Sequence, residues 1–221
     1  MKSENYIPAL SYDWLTPFYD TVVRFTTRET AFKTALMKQA RIEDGHCVLD
    51  LGCGTGTLAI SIKQNHPSAH VVAIDGDAEI LEIARAKSNE AATDVQFDEG
   101  MSFELPYADR SFDLVLSSLF FHHLTRENKS QTLAEVKRVL KPASKFCIAD
   151  WGLPSNLVMQ VASKGIEMLD GSETTGDNFR GLLPSLIAEA GFEHVEETDS
   201  FNTVFGTLRL LQCQKTSKLG G

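Results

Sequence analysis

An acid and three glycines at alternate positions form the part of this sequence best suited to binding a ligand. Asp50, Gly52, Gly54 and Gly56 follow an apolar run that begins at residue 47. Glycine lets the main chain approach a ligand closely and adopt the positive φ of a tight turn. The dinucleotide-binding fingerprint G-x-G-x-x-G uses the same physics, but here the third glycine comes one residue early. The pattern predicts a buried strand, a ligand-binding loop and the first turn of a helix.

A second carboxylate, Asp75, ends the next apolar run, 25 residues after Asp50. At this place a carboxylate can accept hydrogen bonds from both hydroxyls of an adenosine ribose. The alternative is that Asp75 caps the helix that follows. The separation of one strand–helix–strand unit from the glycine loop favours the ribose-binding role.

Three more titratable residues, His122, His123 and Asp150, follow later apolar runs. Because an imidazole titrates near neutral pH, either histidine could remove a proton from a bound substrate. Alternatively, one histidine orients the next helix while the other packs or faces solvent. Asp150 is a further candidate at the edge of the substrate pocket.

Alternating strands and helices between residues 46 and 150 position these candidates. The predicted strands span residues 47–51, 71–74, 95–99, 112–117 and 145–150, and the predicted helices span 57–64, 78–91 and 129–140. This order is typical of a parallel sheet covered by helices on both faces. Ligands of such sheets bind outside the carboxyl ends of the strands, so the candidates would share one edge.

The remaining segments extend this core at both ends. Residues 17–40 form a predicted amphipathic helix, either packed on the domain or closing over the substrate pocket as a lid. Two further helices are predicted at 156–169 and 180–190. The β-like runs 193–199 and 203–214 are too close in sequence for a parallel crossover, so they predict an antiparallel pair at the sheet edge.

The composition narrows the class of protein. A net charge of −9 over 221 residues, without a basic stripe, argues against a nucleic-acid partner. The sequence has no run of about 18 apolar residues and no signal-peptide layout at its start, so stable membrane insertion is not expected. Four cysteines without C-x-x-C pairing predict reduced thiols in a cytoplasmic protein.

Several segments in register resemble the class I S-adenosylmethionine-dependent methyltransferases. They are the glycine loop with Asp50, and residues 95–107, 111–124, 135–142 and 189–192. Their order is similar to the small-molecule branch that includes the ubiquinone- and menaquinone-biosynthesis methyltransferases. The resemblance implies a Rossmann-like α/β fold: a seven-stranded, mostly parallel sheet with an antiparallel edge hairpin, helices on both faces and an N-terminal helical cap.

The resemblance also implies S-adenosylmethionine as the methyl donor, S-adenosylhomocysteine as the product, and no metal. The cofactor-binding residues that it implies are Asp50, Gly52, Cys53, Gly54, Gly56, Asp75, Gly76, Ile80, Met101, Ser102, Ser117 and Phe121. Met101 departs from the family, which usually has an aspartate there to accept the adenine amino group. Since a thioether sulfur is a weak acceptor, we expect weaker cofactor binding, with backbone groups at Met101 and Ser102 holding the ring. Ala143 and Ser144 replace the family's usual glycine pair, a change expected to alter only a turn.

The predicted reaction is transfer of a methyl group to an oxygen, nitrogen or carbon of a small molecule by in-line displacement. The predicted catalytic residues are His122, His123, Asp150 and Tyr19, with Tyr19 and Phe121 as aromatic neighbours of the sulfonium. A phospholipid-headgroup acceptor and a non-catalytic cofactor-binding protein stay open as alternatives. An NAD-dependent oxidoreductase would not explain Asp50 or the altered glycine spacing.

A single domain is predicted over residues 1–216, as a monomer or homodimer. Its parts are a helical cap (1–45), a cofactor-binding core (46–150), a substrate-lid insertion (151–190) and a C-terminal strand pair (191–216), followed by a flexible tail (217–221). Within the insertion, residues 170–178 form a polar stretch that predicts a mobile loop suited to a lid.

Overall fold

The computed structural model describes residues 28–170 and 172–217. Helices α1–α7 span Glu29–Ala40, Thr57–Asn65, Ala78–Glu90, Arg126–Val139, Leu157–Asp170, Ser172–Phe179 and Leu183–Glu189. Strands β1–β7 span Cys47–Leu51, His70–Asp75, Val95–Glu99, Phe112–Ser118, Leu140–Trp151, Phe192–Thr203 and Gly206–Lys215. A short 3-10 helix, Phe121–His123, follows β4.

The seven strands form one sheet in the order β3-β2-β1-β4-β5-β7-β6. The neighbours from β3 to β5 pair in parallel, whereas β7 pairs antiparallel with both β5 and β6. The predicted fold class is therefore confirmed, including the antiparallel edge pair. The chain moves outward from β1 to β3 and then returns to β4 on the other side of β1. The switch point of this sheet, where ligands of such folds bind, lies between β1 and β4.

Apolar side chains on both faces of the sheet hold the helices in place. On one face α1, α2 and α3 bury residues such as Phe32, Leu58 and Leu81. On the other face α4 and α7 bury residues such as Leu133 and Ile187. Both layers bury large aliphatic and aromatic side chains completely, so the carboxyl edge of the sheet is a rigid platform. None of the helices in the described ranges has both the length and the apolar character needed to cross a bilayer.

Most predicted elements occur close to their expected bounds, and β1 and β3 match them residue for residue. Helix α4 begins three residues earlier than predicted because the Thr125 hydroxyl oxygen caps it, accepting from the Asn128 N–H at 3.3 Å. Strand β5 also begins earlier, at Leu140, and passes a left-handed residue, Ala143, with φ of 60°.

The polar stretch at 170–178 was predicted to be a loop, and that prediction was wrong for residues 172–178, which belong to α6. Serine, threonine, glycine, aspartate and asparagine are weak helix formers, so the composition of this stretch carries no local helix signal. Contacts from α4 supply the missing stabilisation. Arg126 binds both carboxylate oxygens of Asp177, at 2.5 and 3.0 Å. The ammonium of Lys129, which is fully buried, donates to the Thr174 carbonyl at 2.6 Å.

The predicted helix over 17–40 is described only in part, as α1. Tyr19 and the aromatic residues before it lie outside the described residues, so the lid role of the N-terminal cap stays a prediction, as does the division of the domain into parts.

Candidate active site

The glycine loop lies at the carboxyl end of β1 and is tied to β2. The N–H groups of Gly52 and Cys53 both donate to the Ile74 carbonyl at 3.0 Å. Gly52, Gly54 and Gly56 all have positive φ, at 67°, 52° and 75°. Side chains other than glycine would therefore be strained at each of the three positions.

The three glycines differ in what surrounds them. A Cβ atom at Gly52 would lie 2.2 Å from the Phe120 ring, and one at Gly56 would lie 2.9 Å from Phe97. A Cβ atom at Gly54 would meet no atom of the described residues within 4 Å. Gly52 and Gly56 are thus required by packing inside the protein, whereas Gly54 borders open space that a ligand can fill.

Asp50, at the end of β1, is fully buried. Its Oδ2 atom accepts from the Ala59 N–H at 3.0 Å, but its Oδ1 atom is buried without a hydrogen-bond partner among the described residues. Burial raises the pKa of Asp50 to about 7, against the opposing charge of Lys33 and the hydrogen bond from Ala59. A buried acceptor left unsatisfied in this way is costly, and a bound donor group would relieve the cost.

Asp75 faces the same loop from the end of β2. Its Oδ2 atom accepts from the Gly54 N–H at 2.8 Å, and its Oδ1 atom accepts from the Asp77 N–H at 3.1 Å. Burial raises the pKa of Asp75, while these two hydrogen bonds oppose the increase. The cap of α3 is Asp77, whose side chain accepts from the Glu79 and Ile80 N–H groups. Asp75 therefore does not serve as the helix cap that was its alternative role.

Three other predicted cofactor residues line the same region. Cys53 is buried in the glycine loop, and burial, reinforced by the charges of Asp50 and Asp75, raises the pKa of its thiol, so it stays protonated. Gly76 directly follows β2 and is half-buried, and Ile80 is buried in the first turn of α3.

Met101 and Ser102 follow β3, next to the end of β2, because the Gly100 N–H donates to the Asp75 carbonyl at 3.0 Å. Met101 is half-buried. The Ser102 hydroxyl is buried and lies 2.8 Å from the Thr132 hydroxyl of α4. The side chain of Ser102 is thus engaged with α4, which leaves its backbone for the predicted adenine contact.

Two other predicted cofactor residues, Ser117 and Phe121, are fully buried. The buried Ser117 hydroxyl donates to the Leu51 carbonyl at 2.8 Å and joins β4 to β1. Phe121 is fully buried in the core on the α4 side, where its ring centroid lies 5.9 Å from that of Phe146. The aromatic ring against Gly52 is that of Phe120, which sequence reasoning did not single out.

His122 and Asp150 form a buried hydrogen-bonded pair between the ends of β4 and β5. The His122 Nδ1 atom lies 2.7 Å from Asp150 Oδ1. The Asp150 carboxylate also accepts from three backbone N–H groups, those of Phe120, His122 and Trp151. Burial alone would raise the pKa of Asp150, but the charge of His122 and the hydrogen bond to it lower the pKa below its usual value. Asp150 therefore stays ionised and fixes the orientation of the His122 ring.

His123 lies against this pair, with its ring centroid 3.9 Å from that of His122. Burial lowers the pKa of His123 to about 3, and the charges of His122 and Lys129 add to that decrease. His123 is therefore neutral at neutral pH and holds a proton poorly. Of the two histidines, His122 has the geometry expected of a base.

Comparisons with known proteins show the family of this chain. A family profile described as "Methyltransferase domain" matches residues 48–143. The chain is 32% identical over 190 residues to an uncharacterised methyltransferase of Synechocystis, covering 84% of this chain and 85% of that protein. It is 30% identical over 150 residues to a demethylmenaquinone methyltransferase of Lactobacillus johnsonii, covering 66% of this chain and 61% of that protein.

The match therefore spans about three-fifths of the length of the demethylmenaquinone methyltransferases. Among solved structures, a SAM-dependent methyltransferase from Aquifex aeolicus superposes with a TM-score of 0.64 at 18% identity. That superposition covers 89% of this chain and 93% of the other, and at this level of identity it supports the fold alone.

Proposed function

This chain belongs to the class I S-adenosylmethionine-dependent methyltransferases, and we propose that it methylates an oxygen or an acidic carbon of a small molecule. Its cofactor supplies a methyl group already activated by a sulfonium. The protein's own task is therefore to hold the donor, align the acceptor and manage the acceptor's proton. The similarity to a protein named demethylmenaquinone methyltransferase supports a small-molecule acceptor.

The observation that carries this proposal is the open face of Gly54 between two acids. Asp75 already accepts one hydrogen bond at each carboxylate oxygen, and each oxygen keeps a lone pair for a ribose hydroxyl. Asp50 has a buried oxygen that no described residue partners, which suits the ammonium of the donor's amino-acid part. The chain's residues thus fit the cofactor at both of its polar ends.

Other residues complete the donor site in this proposal. The backbone of Met101 and Ser102 holds the adenine ring, and Ile80 supplies an apolar contact. The Phe120 ring, stacked over Gly52, provides an aromatic wall beside the loop. Phe120 takes the aromatic role that the sequence assigned to Phe121.

The His122–Asp150 pair supports an acceptor that must lose a proton. A hydroxyl or an acidic carbon needs its proton removed at or before methyl transfer, whereas a neutral amine can lose it afterwards. In our proposal His122 takes that proton as the new bond to the methyl carbon forms. Asp150 stabilises the imidazolium that results and does not itself contact the acceptor.

The test is methyl transfer from labelled S-adenosylmethionine to a panel of phenols, enols and amines. We expect transfer to hydroxyl or acidic carbon acceptors and loss of about 100-fold or more in kcat for His122→Gln. His123→Gln is the matched control. Because His123 is a weak base, this variant should lose much less of its kcat.

Calorimetry with S-adenosylhomocysteine checks that each variant still binds the cofactor, and NADH serves as the negative ligand. If His122→Gln keeps the full rate with hydroxyl acceptors, His122 is not the base. Binding of NADH in place of S-adenosylhomocysteine would contradict the proposed reaction altogether.

A further inference from the structure

A cleft lined mainly by positive charges lies where α1 meets the antiparallel edge of the sheet. It has a volume of about 460 Å³, and its charged side chains are those of Lys38, Arg41, Lys145 and Asp199. That volume lies within the roughly 300–1,000 Å³ typical of small-molecule sites. The excess of positive charge runs against the chain as a whole, which has a net charge of −9.

None of the three cations forms an ion pair with another described residue. Lys38 lies in the last turn of α1 and Arg41 caps it, and the helix dipole favours a positive charge at both places. That explanation does not extend to Lys145, which is half-buried on β5. A half-buried ammonium without a carboxylate beside it is a group that a bound anion would stabilise.

The two acids that precede Asp199 on the outer strand β6 bond to other groups. Glu196 accepts from the Gln212 amide at 3.0 Å, and Glu197 pairs with Arg209. Because neither acid forms an ion pair with the cations of the cleft, their positive charge is available to a ligand.

Gln39 joins the two walls of the cleft. Its Nε2 atom donates to the Leu211 carbonyl at 3.0 Å, and its Oε1 atom accepts from the Thr198 hydroxyl. These bonds tie α1 to β7 and β6. The elements that carry the cations are therefore fixed relative to one another, which lowers the cost of binding a ligand between them.

The cleft is separate from the donor loop and from the His122–Asp150 pair. Lys145 lies near the start of the paired part of β5, and Asp150 lies near its end. At about 3.3 Å per residue, the two are roughly 16 Å apart along the strand. A ligand in the cleft would therefore not occupy the proposed methyl-transfer site.

The charges of the cleft indicate the chemical class of that ligand. Three cations and one acid leave a net charge of +2. A phosphate monoester carries about −1.5 to −2 at pH 7, and its oxygens suit both the planar fork of an arginine and the point charge of a lysine. We propose that the cleft binds the phosphoryl group of a small phosphorylated molecule, a role beyond the proposed methyl transfer.

Inorganic pyrophosphate, inorganic phosphate and acetate test the proposal, because they carry decreasing negative charge. Calorimetric titration of the full chain should show affinity falling in that order. Lys145→Gln should weaken pyrophosphate binding about tenfold, through loss of a charge-assisted hydrogen bond. Lys164→Gln is the matched control, since it removes an equal charge from an exposed position on α5 and should leave the affinity unchanged.

Asp199→Asn provides a second reading, a gain of binding at an exposed position. It removes a negative charge from the cleft, so pyrophosphate should bind about two- to fivefold more tightly. The proposal is overturned if pyrophosphate does not bind the unaltered protein, or if Asp199→Asn leaves its affinity unchanged. Equal losses in Lys164→Gln and Lys145→Gln would also overturn it, because they would show attraction to overall charge alone.

Sedimentation with vesicles distinguishes the two sources of a phosphoryl group. If the ligand is a lipid headgroup, vesicles containing phosphatidic acid should retain the unaltered protein better than Lys145→Gln. If the ligand is a soluble phosphate ester, the two proteins should sediment alike while still differing in pyrophosphate affinity. Both results agree with the proposal and identify the source. Titration of S-adenosylhomocysteine on the same samples reports the donor site separately, so the two proposals fail independently.

Discussion

At the scale of single residues, Asp50 is placed at the expense of the stability of the fold, as expected for the proposed donor site. A fully buried carboxylate with one oxygen that nothing in the described ranges partners destabilises the protein when it is ionised. Its pKa of about 7 lies above the ordinary value of 3.8. The stability that Asp50 contributes as a neutral acid is therefore fully present below about pH 4 and is lost as pH rises to about 7.

We predict that Asp50→Asn stabilises the ligand-free protein at pH 8 by about 1–3 kcal/mol, because it removes a buried charge, and has little effect at pH 4. The same change should weaken S-adenosylhomocysteine binding about tenfold or more, through loss of a charge-assisted hydrogen bond. Denaturation at pH 8 and pH 4 measures the change in the free energy of unfolding, and calorimetry measures the affinity for S-adenosylhomocysteine. A variant that binds the ligand as tightly as the unaltered protein would remove Asp50 from the donor site.

Met101 offers the opposite test, a gain of binding. A carboxylate at this half-buried position can accept the adenine amino group, which a thioether does poorly. Met101→Asp should therefore bind S-adenosylhomocysteine about tenfold more tightly in calorimetry. Met101→Leu is the matched control and should leave the affinity close to its original value. Equal affinities for Asp and Leu would show that position 101 does not contact the adenine.

The geometry of the glycine loop, our proposed donor loop, could be predicted because its signals are local. Three glycines and two acids at strand ends carry their own turn and charge chemistry, and the structure brings Gly54 and Asp75 within a hydrogen bond of each other. The choice between Phe120 and Phe121 could not be made in this way. The two residues are adjacent where β4 gives way to a 3-10 helix, and neither strand nor helix periodicity indicates which ring faces the loop.

At the scale of elements, α6 marks the limit of local reasoning. Its sequence has the composition of a loop, and it is helical because Arg126 and Lys129 from a distant helix hold it. The partners are 51 and 45 residues away in sequence, so no local pattern could have revealed the contacts. The tertiary structure here outweighs helix propensity.

The turn at the start of β5 yields a stability prediction. Ala143 has φ of 60°, a conformation that costs an L-residue about 1–2 kcal/mol but is open to glycine. Replacing Ala143 by glycine would remove this cost. Part of the gain in stability is offset because glycine has greater conformational freedom in the unfolded chain. We expect Ala143→Gly to stabilise the protein by about 0.5–1 kcal/mol and to raise Tm by about 1–4 °C.

Ser144→Gly is the matched control, since Ser144 is not in the left-handed region and gains nothing from the change. Thermal unfolding of both variants separates relief of strain from a general effect of glycine. A fall in Tm for Ala143→Gly similar to that for Ser144→Gly would show that the turn carries no strain.

At the scale of the whole molecule, the sheet topology explains why residues far apart in sequence share one site. The order β3-β2-β1-β4-β5 places the carboxyl ends of five parallel strands at one edge. Asp50, Asp75, Met101, His122 and Asp150 each follow or end one of these strands. The alternation of strands and helices was visible in the sequence, so the convergence of these residues at one edge was predictable. The direction of each side chain was not predictable, because it is decided by buried contacts between residues far apart in sequence.

The most direct measurement is a crystal structure of the full chain with S-adenosylhomocysteine. Our account predicts the ribose hydroxyls on the Asp75 carboxylate, the amino-acid part over the open face of Gly54, and its ammonium within reach of Asp50 Oδ1. The account would be contradicted if the ligand bound elsewhere and made no contact with Asp75 or with the loop from Gly52 to Gly56.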